Sequence, residues 1–291
     1  MIQLRPIYVI CMREFIKFFR EKSRLLGTLA RPVLWLFVVG NGMSSLITPH
    51  AGFSYLQFIF PGMIGMTILF SSIFSSISIV WDREFGFMKE MLVAPISRLS
   101  IVIGKTISGT LISVAQAVII LLLIPFLGFG ITFLQFIEIV GASVLVSFCI
   151  TSLGILIAAR LTSFDGFNII MNFLVMPMLF LSGAMYPVTS MPPALRHLTL
   201  VNPLTYGIDA FKHILLRNGA PPLGPEFPLS LDLLVVTAIS VIMLTLASLS
   251  FRKKEEPRPP FFPALLELIF RGRSCVREFD GYRHVASIRD W

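Results

Sequence analysis

The chain has 291 residues, of which 55% are hydrophobic and only 14% charged, and its mean hydropathy is +0.84. A soluble domain carries roughly 25% charged residues, so this composition excludes an ordinary water-soluble enzyme and selects lipid as the solvent. The net charge of +8 needs no nucleic acid to explain it, because the basic residues cluster at particular points along the chain, as orientation signals do in a membrane protein.

Residues Arg5 to Arg24 read as an amphipathic helix at the membrane interface, within a first segment of residues 1–24. Arg13, Lys17, Arg20 and Arg24 recur at helical spacing on one face, with Ile7, Cys11, Phe15 and Phe18 opposite. The opening residues alternate charge with aromatic groups, unlike the apolar core of a cleavable signal peptide. Six apolar runs follow within residues 25–251: Pro32–Ile47, Tyr55–Trp81, Ile101–Phe129, Phe136–Ala159, Phe167–Leu181 and Leu229–Phe251. Each is read as a membrane span; the fifth is short and runs into proline-containing sequence, which predicts a re-entrant or broken-helix element. Met176-Pro177 predicts a kink within it. The fold class is therefore all-α, six transmembrane helices with an N-terminal interfacial helix. Residues 252–291 form a basic tail, extended through Pro257–Pro263, with a short apolar helix over Ala264–Phe270.

If the N-terminus is cytoplasmic, all but Arg196, Lys212 and Arg217 of the 24 basic residues lie on the inner side. Both termini are then inside, and the chain is a multi-pass protein of the cell (inner) membrane.

Enzymatic signatures are missing. Gly104-Lys105-Thr106 lacks the glycine a phosphate loop needs five positions earlier, where Leu99 stands. His50, His197, His213 and His284 show no paired metal spacing, and Cys11, Cys149 and Cys275 are scattered. None of the apolar runs carries Asp, Glu or His near its middle; Glu138 lies about one turn inside the fourth. No catalytic residue and no metal ligand is assigned, and the chain is read as unable to hydrolyse ATP by itself.

The richest polar segment is Trp81-Asp82-Arg83-Glu84-Phe85-Gly86-Phe87-Met88-Lys89-Glu90-Met91-Leu92-Val93-Ala94-Pro95-Ile96-Ser97-Arg98, between the second and third runs. Its periodicity lets Phe87, Met91 and Val93-Ala94 pack while Arg83, Glu84, Lys89 and Glu90 face water, and Pro95 stops the helix. Such a helix between two spans is either a lever or a solvated turn. Together with Phe60-Pro61-Gly62, Leu181-Ser182-Gly183-Ala184-Met185-Tyr186-Pro187 and Asn202-Pro203-Leu204-Thr205-Tyr206-Gly207-Ile208-Asp209, this segment resembles the ABC-2 type transporter permease family over residues 1 to about 251.

The resemblance implies a permease that pairs with a second permease copy in membrane lipid and docks a separate cytosolic ABC ATPase, which binds the ATP and Mg. By that resemblance the coupling helix is the segment holding Arg83, Glu84, Gly86, Glu90, Pro95 and Arg98. Ser182 to Arg217 would be extracellular re-entrant helices closing an outer gate, with Tyr186, Pro187, Asn202, Pro203, Tyr206 and Asp209. Family substrates are drug-like, lipid-linked or glycan molecules. First and fifth spans are the implied dimer contacts.

For the pathway, Thr67, Ser71, Ser75 and Ser78 fall within a sector of about 80° on the second span. Gln116 joins Thr106, Gly109 and Ser113 on the third, and Asn168 and Asn172 share a face of the fifth. Such stripes serve close helix packing as well as pathway lining, and Asn168 and Asn172 could equally bond to Ser163 and Asp165 at a helix start. An ion-driven carrier or channel and a non-transporting scaffold are the competing readings; acidic residues deep in the spans would favour the carrier.

Overall fold

The computed structural model describes residues 3–35, 37–38, 42, 55–127, 130–161, 163–216 and 224–252. Most of the first apolar run, the tail 253–291 with Cys275 and His284, and His50 and Arg217 lie outside the described residues, as do the side chains of Arg24, Arg31 and Lys89.

The described residues are helical, with no strand among them. In chain order the helices are α1 (Leu4–Arg20), α2 (Lys22–Trp35), α3 (Tyr55–Glu84), α4 (Phe87–Val93), α5 (Arg98–Leu121), α6 (Phe133–Ala158), α7 (Phe164–Phe180), α8 (Pro193–Thr199), α9 (Pro203–Leu215) and α10 (Leu229–Arg252), with 3-10 turns at Ile124–Leu127 and Val188–Ser190. Polar side chains mark the starts. Ser97 accepts the Ser100 N–H and Ser163 accepts the Gly166 N–H. Thr132 and Gln135 form a reciprocal capping box at α6, and Asn202 with Pro203 opens α9.

Two helices end well short of the sequence expectation. The basic N-terminal helix ends at Arg20, where Glu21 leaves helical geometry at ψ 67, so Arg24 belongs to α2. The third apolar run is helical only to Leu121, not to Phe129. Pro125 has no N–H and its ring clashes with the carbonyl four residues back, so the chain tightens into the 3-10 turn.

Among the described residues four helices, α3, α5, α6 and α10, are long and apolar enough to cross a membrane, and α7 is a shorter apolar helix. This is a membrane protein. In the most apolar window of α3, 89% of residues are buried, against 17% in α10. Helix α3 is thus the axis, packed by α5, α6, α7 and α9, while α10 lies outside on α6, α9 and α5 and presents Leu234, Val241 and Leu249 outward. Because lipid tails are as apolar as leucine, contact inside such a bundle comes from close packing and hydrogen bonds. Ser72 donates to Ser113 at 2.9 Å, and Ser76 donates to the Ser72 carbonyl at 3.0 Å, with the Thr151 carbonyl 3.4 Å away. Helix α1 lies on α5 through Ile7, Ile10, Glu14 and Phe18, and leaves Tyr8, Met12, Ile16 and Phe19 exposed as an apolar stripe.

Candidate functional site

Polar structure concentrates at the two ends of α3, between Phe58 and Asp82, which are roughly 36 Å apart at 1.5 Å per residue. At the Asp82 end, Gly86 takes a φ of 79°, a left-handed conformation that only glycine adopts freely, and this turns the chain from α3 into α4. The two arginines of the connection clamp it. Arg83 donates to the carbonyls of Leu161 (2.6 Å) and Ala159 (3.1 Å), closing the C-terminal end of α6. Arg98 donates to the Phe251 carbonyl at 2.7 Å, at the end of α10. Arg83 therefore does not stand in water as the periodicity suggested. Its carbonyl partners are invisible to a local pattern.

The inner face of α4 also differs from expectation. Met88 and Met91 are buried, whereas Val93 is 87% exposed and Phe87 is half-exposed beneath the Arg13 guanidinium, 4.4 Å from its ring centroid. With seven residues the helix has one buried pair, and Gly86 sets its phase. Glu84, Phe85, Glu90, Val93 and Pro95 point outward, an acidic and apolar face with Phe85 72% exposed.

Beneath this face lies an ion cluster that sequence reasoning missed. Lys105, two turns inside α5 and buried, donates to Glu14 of α1 (2.7 Å), to Ser78 (3.1 Å) and to Asp82 of α3. Arg13 bonds both Glu14 and Asp82, the latter at 3.0 Å. Burial alone would raise the Glu14 carboxyl, but the Lys105 ammonium and Arg13 overcome it and hold the group below the usual carboxylate range. Two cations balance two anions, which is the condition for charge to persist out of water. The available signal was a single lysine inside an apolar run, which requires a partner, and Glu14 as the sole carboxylate of α1. The residues are 91 positions apart, so no local pattern pairs them.

The expected pathway residues divide. Ser71, Ser75, Ser78 and Gln116 are all buried within the chain, Gln116 fully, with the Ser72–Ser113 bond beside them. Asn168 and Asn172 are exposed on α7, on a flank shared with Ile169, Phe173, Met176 and Phe180. The structure does not bring the two sets together.

At the Phe58 end, the residues after α7 fold back on the bundle. The Asn202 side chain accepts the Leu204 N–H (3.1 Å) and donates to the Met178 carbonyl (2.7 Å), so one amide starts α9 and seals the end of α7. Thr205 donates to the Leu181 carbonyl, and Tyr206 to the Leu200 carbonyl at 2.8 Å. Asp209 accepts the N–H groups of Glu226 and Phe227, and Glu226 in turn accepts the Val188 N–H. Burial raises the Glu226 carboxyl above its ordinary range; the Val188 N–H offsets only part of this. Pro187 precedes the Val188–Ser190 turn, with Tyr186 partly exposed before it. Gly62 of α3 meets the Ala184 backbone so closely that a Cβ would overlap the carbonyl, which accounts for the glycine of Phe60-Pro61-Gly62.

Residues 5–216 match the family model described as ABC-2 type transporter. The chain is similar to ycf38 of Cyanophora paradoxa, 30% identical over 223 residues that cover 72% of this chain and 74% of the relative. It is also similar to the inner membrane transport permease YadH of Escherichia coli (strain K12), 29% identical over 209 residues, 69% of this chain and 80% of the relative. Nodulation protein J of Rhizobium meliloti (strain 1021) is 27% identical over 206 residues, 67% and 75% of the two chains.

Proposed function

This chain belongs to the ABC-2 type transporter family, and on that premise we propose that it is the permease subunit of an ATP-driven exporter whose ATPase is a separate cytosolic chain. The observation that carries the reading is the α4 face. Glu84 and Phe85 at the α3–α4 turn and Glu90 and Val93 of α4 stand exposed, and the connection is anchored to the ends of α6 and α10 by Arg83 and Arg98 on either side of it. An exposed acidic and apolar patch on a clamped helix suits a protein partner better than free solvent. Force on it passes to α3 and α5 through Gly86 and Pro95, and to α1 through the Lys105 cluster.

In this proposal α4 lies in the cytosol with both termini, and α1 rests its Tyr8, Met12, Ile16 and Phe19 stripe in the inner leaflet. Six spans are completed by the first apolar run, and the three units remain 1–24, 25–251 and 252–291. Residues Ser182 to Arg217 are the outer, re-entrant element, with Tyr186, Pro187, Asn202, Pro203, Tyr206 and Asp209 shaping its closure. A second copy packs against the exposed α7 flank, so that Asn168 and Asn172 face a pathway between copies. The buried serines of α3 and Gln116 then serve helix packing instead. The substrate class is a drug-like, lipid-linked or glycan molecule.

Reconstitution tests the reading. The purified chain is placed in liposomes with and without the ABC ATPase encoded nearest to it. Wild type is expected to bind the ATPase and stimulate its turnover, and Glu84→Lys with Glu90→Lys to lose binding by more than tenfold while the chain stays folded. Full binding and turnover by the reversed variant would sink the coupling assignment.

A further inference from the structure

Where α9 meets the first turn of α10, Asp209, His213 and Asp232 each bring a ligand-type atom to within 4.8 Å of the others. Asp209 and His213 stand four apart on α9, so both leave the same helix face, and Asp232 reaches them from α10. Asp232 is the telling residue. It is fully buried, and neither carboxylate oxygen accepts a hydrogen bond from any described residue; the nearest partner of opposite potential charge is His213 Nε2 at 3.8 Å.

Other carboxylates crowd around it. Asp209, Asp232 and Glu226 act on the buried Lys212 ammonium, whose Nζ lies 5.4 Å from the Phe58 ring centroid. Three carboxylates thus gather around Lys212 where the two helices meet, and Asp232 is the one with no hydrogen-bond partner among the described residues. A buried carboxyl left without a hydrogen-bond partner is costly away from water. In the Arg13, Glu14, Asp82 and Lys105 cluster at the other end of α3, by contrast, every charged side chain has a partner.

We propose that Asp209, His213 and Asp232 bind one divalent transition cation, with Zn²⁺ the best match. The donor set is two carboxylates and an imidazole without sulfur, which suits zinc. The N–H groups of Glu226 and Phe227 that orient Asp209, at 3.0 and 2.8 Å, are the outer-sphere contacts a ligating carboxylate uses. The Phe227 carbonyl lies 2.6 Å from His213 Nε2 and becomes a further oxygen donor once Nε2 offers its lone pair and the ring proton moves to Nδ1. A cleft of about 510 Å³ reaches His213 between α6 and α10, with Glu138 on its wall, and gives an ion a way in. The bound cation would pin α9 and the segment before α10 to α10 itself. This goes beyond the transport reading and does not depend on it.

The test uses the full-length, tag-free chain purified in detergent, stripped with a chelator and equilibrated with Zn²⁺. One Zn²⁺ per chain and a rise in Tm with Zn²⁺ are expected. His213→Ala and Asp232→Asn should each weaken binding by at least about tenfold and abolish the Tm rise, as losing a ligand exceeds the effect of losing an outer-sphere contact. His197→Ala, on the exposed face of α8, should change neither. Should the variants not fold, zinc-edge X-ray absorption on the wild type decides alone, with one nitrogen, the rest oxygen and no sulfur expected. Binding that survives both substitutions, a sulfur-containing shell, preference for Mg²⁺ or Ca²⁺, or no stoichiometric Zn²⁺ overturns the proposal. No ATPase or substrate is present, so failure here leaves the transport reading untouched.

Discussion

Lys105 shows how one side chain can hold three helices. Its ammonium sits between carboxylates from α1 and α3 with almost no water, so removing one carboxylate leaves a cation short of compensation. Glu14→Gln is expected to lower stability by about 3 kcal/mol, in the range for breaking a buried pair. The double replacement Glu14→Leu with Lys105→Met leaves Arg13 and Asp82 matched, and should recover most of that loss in a thermal melt in detergent. Acid should do the same as Glu14→Gln. The unfolded carboxyl titrates near 4.5 and the folded one lower, so the unfolded chain binds the proton more readily. Stability from this group is whole above that value and drains as pH falls below it, and melts of Glu14→Gln should be flatter there than those of wild type. Gly62 makes a second case. Gly62→Ala drives a methyl into the Ala184 backbone and should cost about 1–3 kcal/mol, as overpacking does. Gly141→Ala, with nothing within 4 Å, should cost nothing and gain helix propensity.

At the scale of elements, the two faces of the α3–α5 connection have separate duties in the proposed coupling, and substitutions should separate them. Met88→Ala removes buried volume and is expected to destabilise by about 2–5 kcal/mol while the outward charges stay in place. The Glu84 and Glu90 reversals should leave the melt unchanged and act on partner binding alone. A thermal melt beside a pull-down reads both, and loss of stability in the reversals would mean that the outer face is structural. The long helices were legible because apolar runs, capping residues and prolines are local signals. Ser97, Thr132, Ser163 and Asn202 each mark a start that the chain uses. The phase of α4 was not legible, since seven residues offer two choices of face and the turn at Gly86 decides between them. Nor was the break at Glu21, where no glycine or proline interrupts the pattern. The ion cluster and the Arg83 clamp needed tertiary contacts between residues 23 to 91 positions apart, which no local window contains.

For the whole molecule, α3 sets a polarity. Its 30 residues make a rod of about 45 Å, enough to cross a hydrocarbon core of about 30 Å and carry a polar cluster beyond each face. One end holds α1, α4 and most of the described basic side chains; the other holds the carboxylate-rich junction of α9 and α10. The proposed orientation, drawn from the uneven distribution of Lys and Arg, turns the first end to the cytosol, and the proposed coupling to an ATPase requires the exposed face of α4 to be there. Single cysteines at Glu90 and Ser190, both exposed, place this on trial without any knowledge of substrate. In a background with Cys11, Cys149 and Cys275 replaced, an impermeant maleimide added to intact cells should label Ser190→Cys and spare Glu90→Cys, and permeabilised cells should label both. The reverse pattern would put the α4 face where no cytosolic engine can reach it, and the proposed coupling would fail even though the family and fold stood.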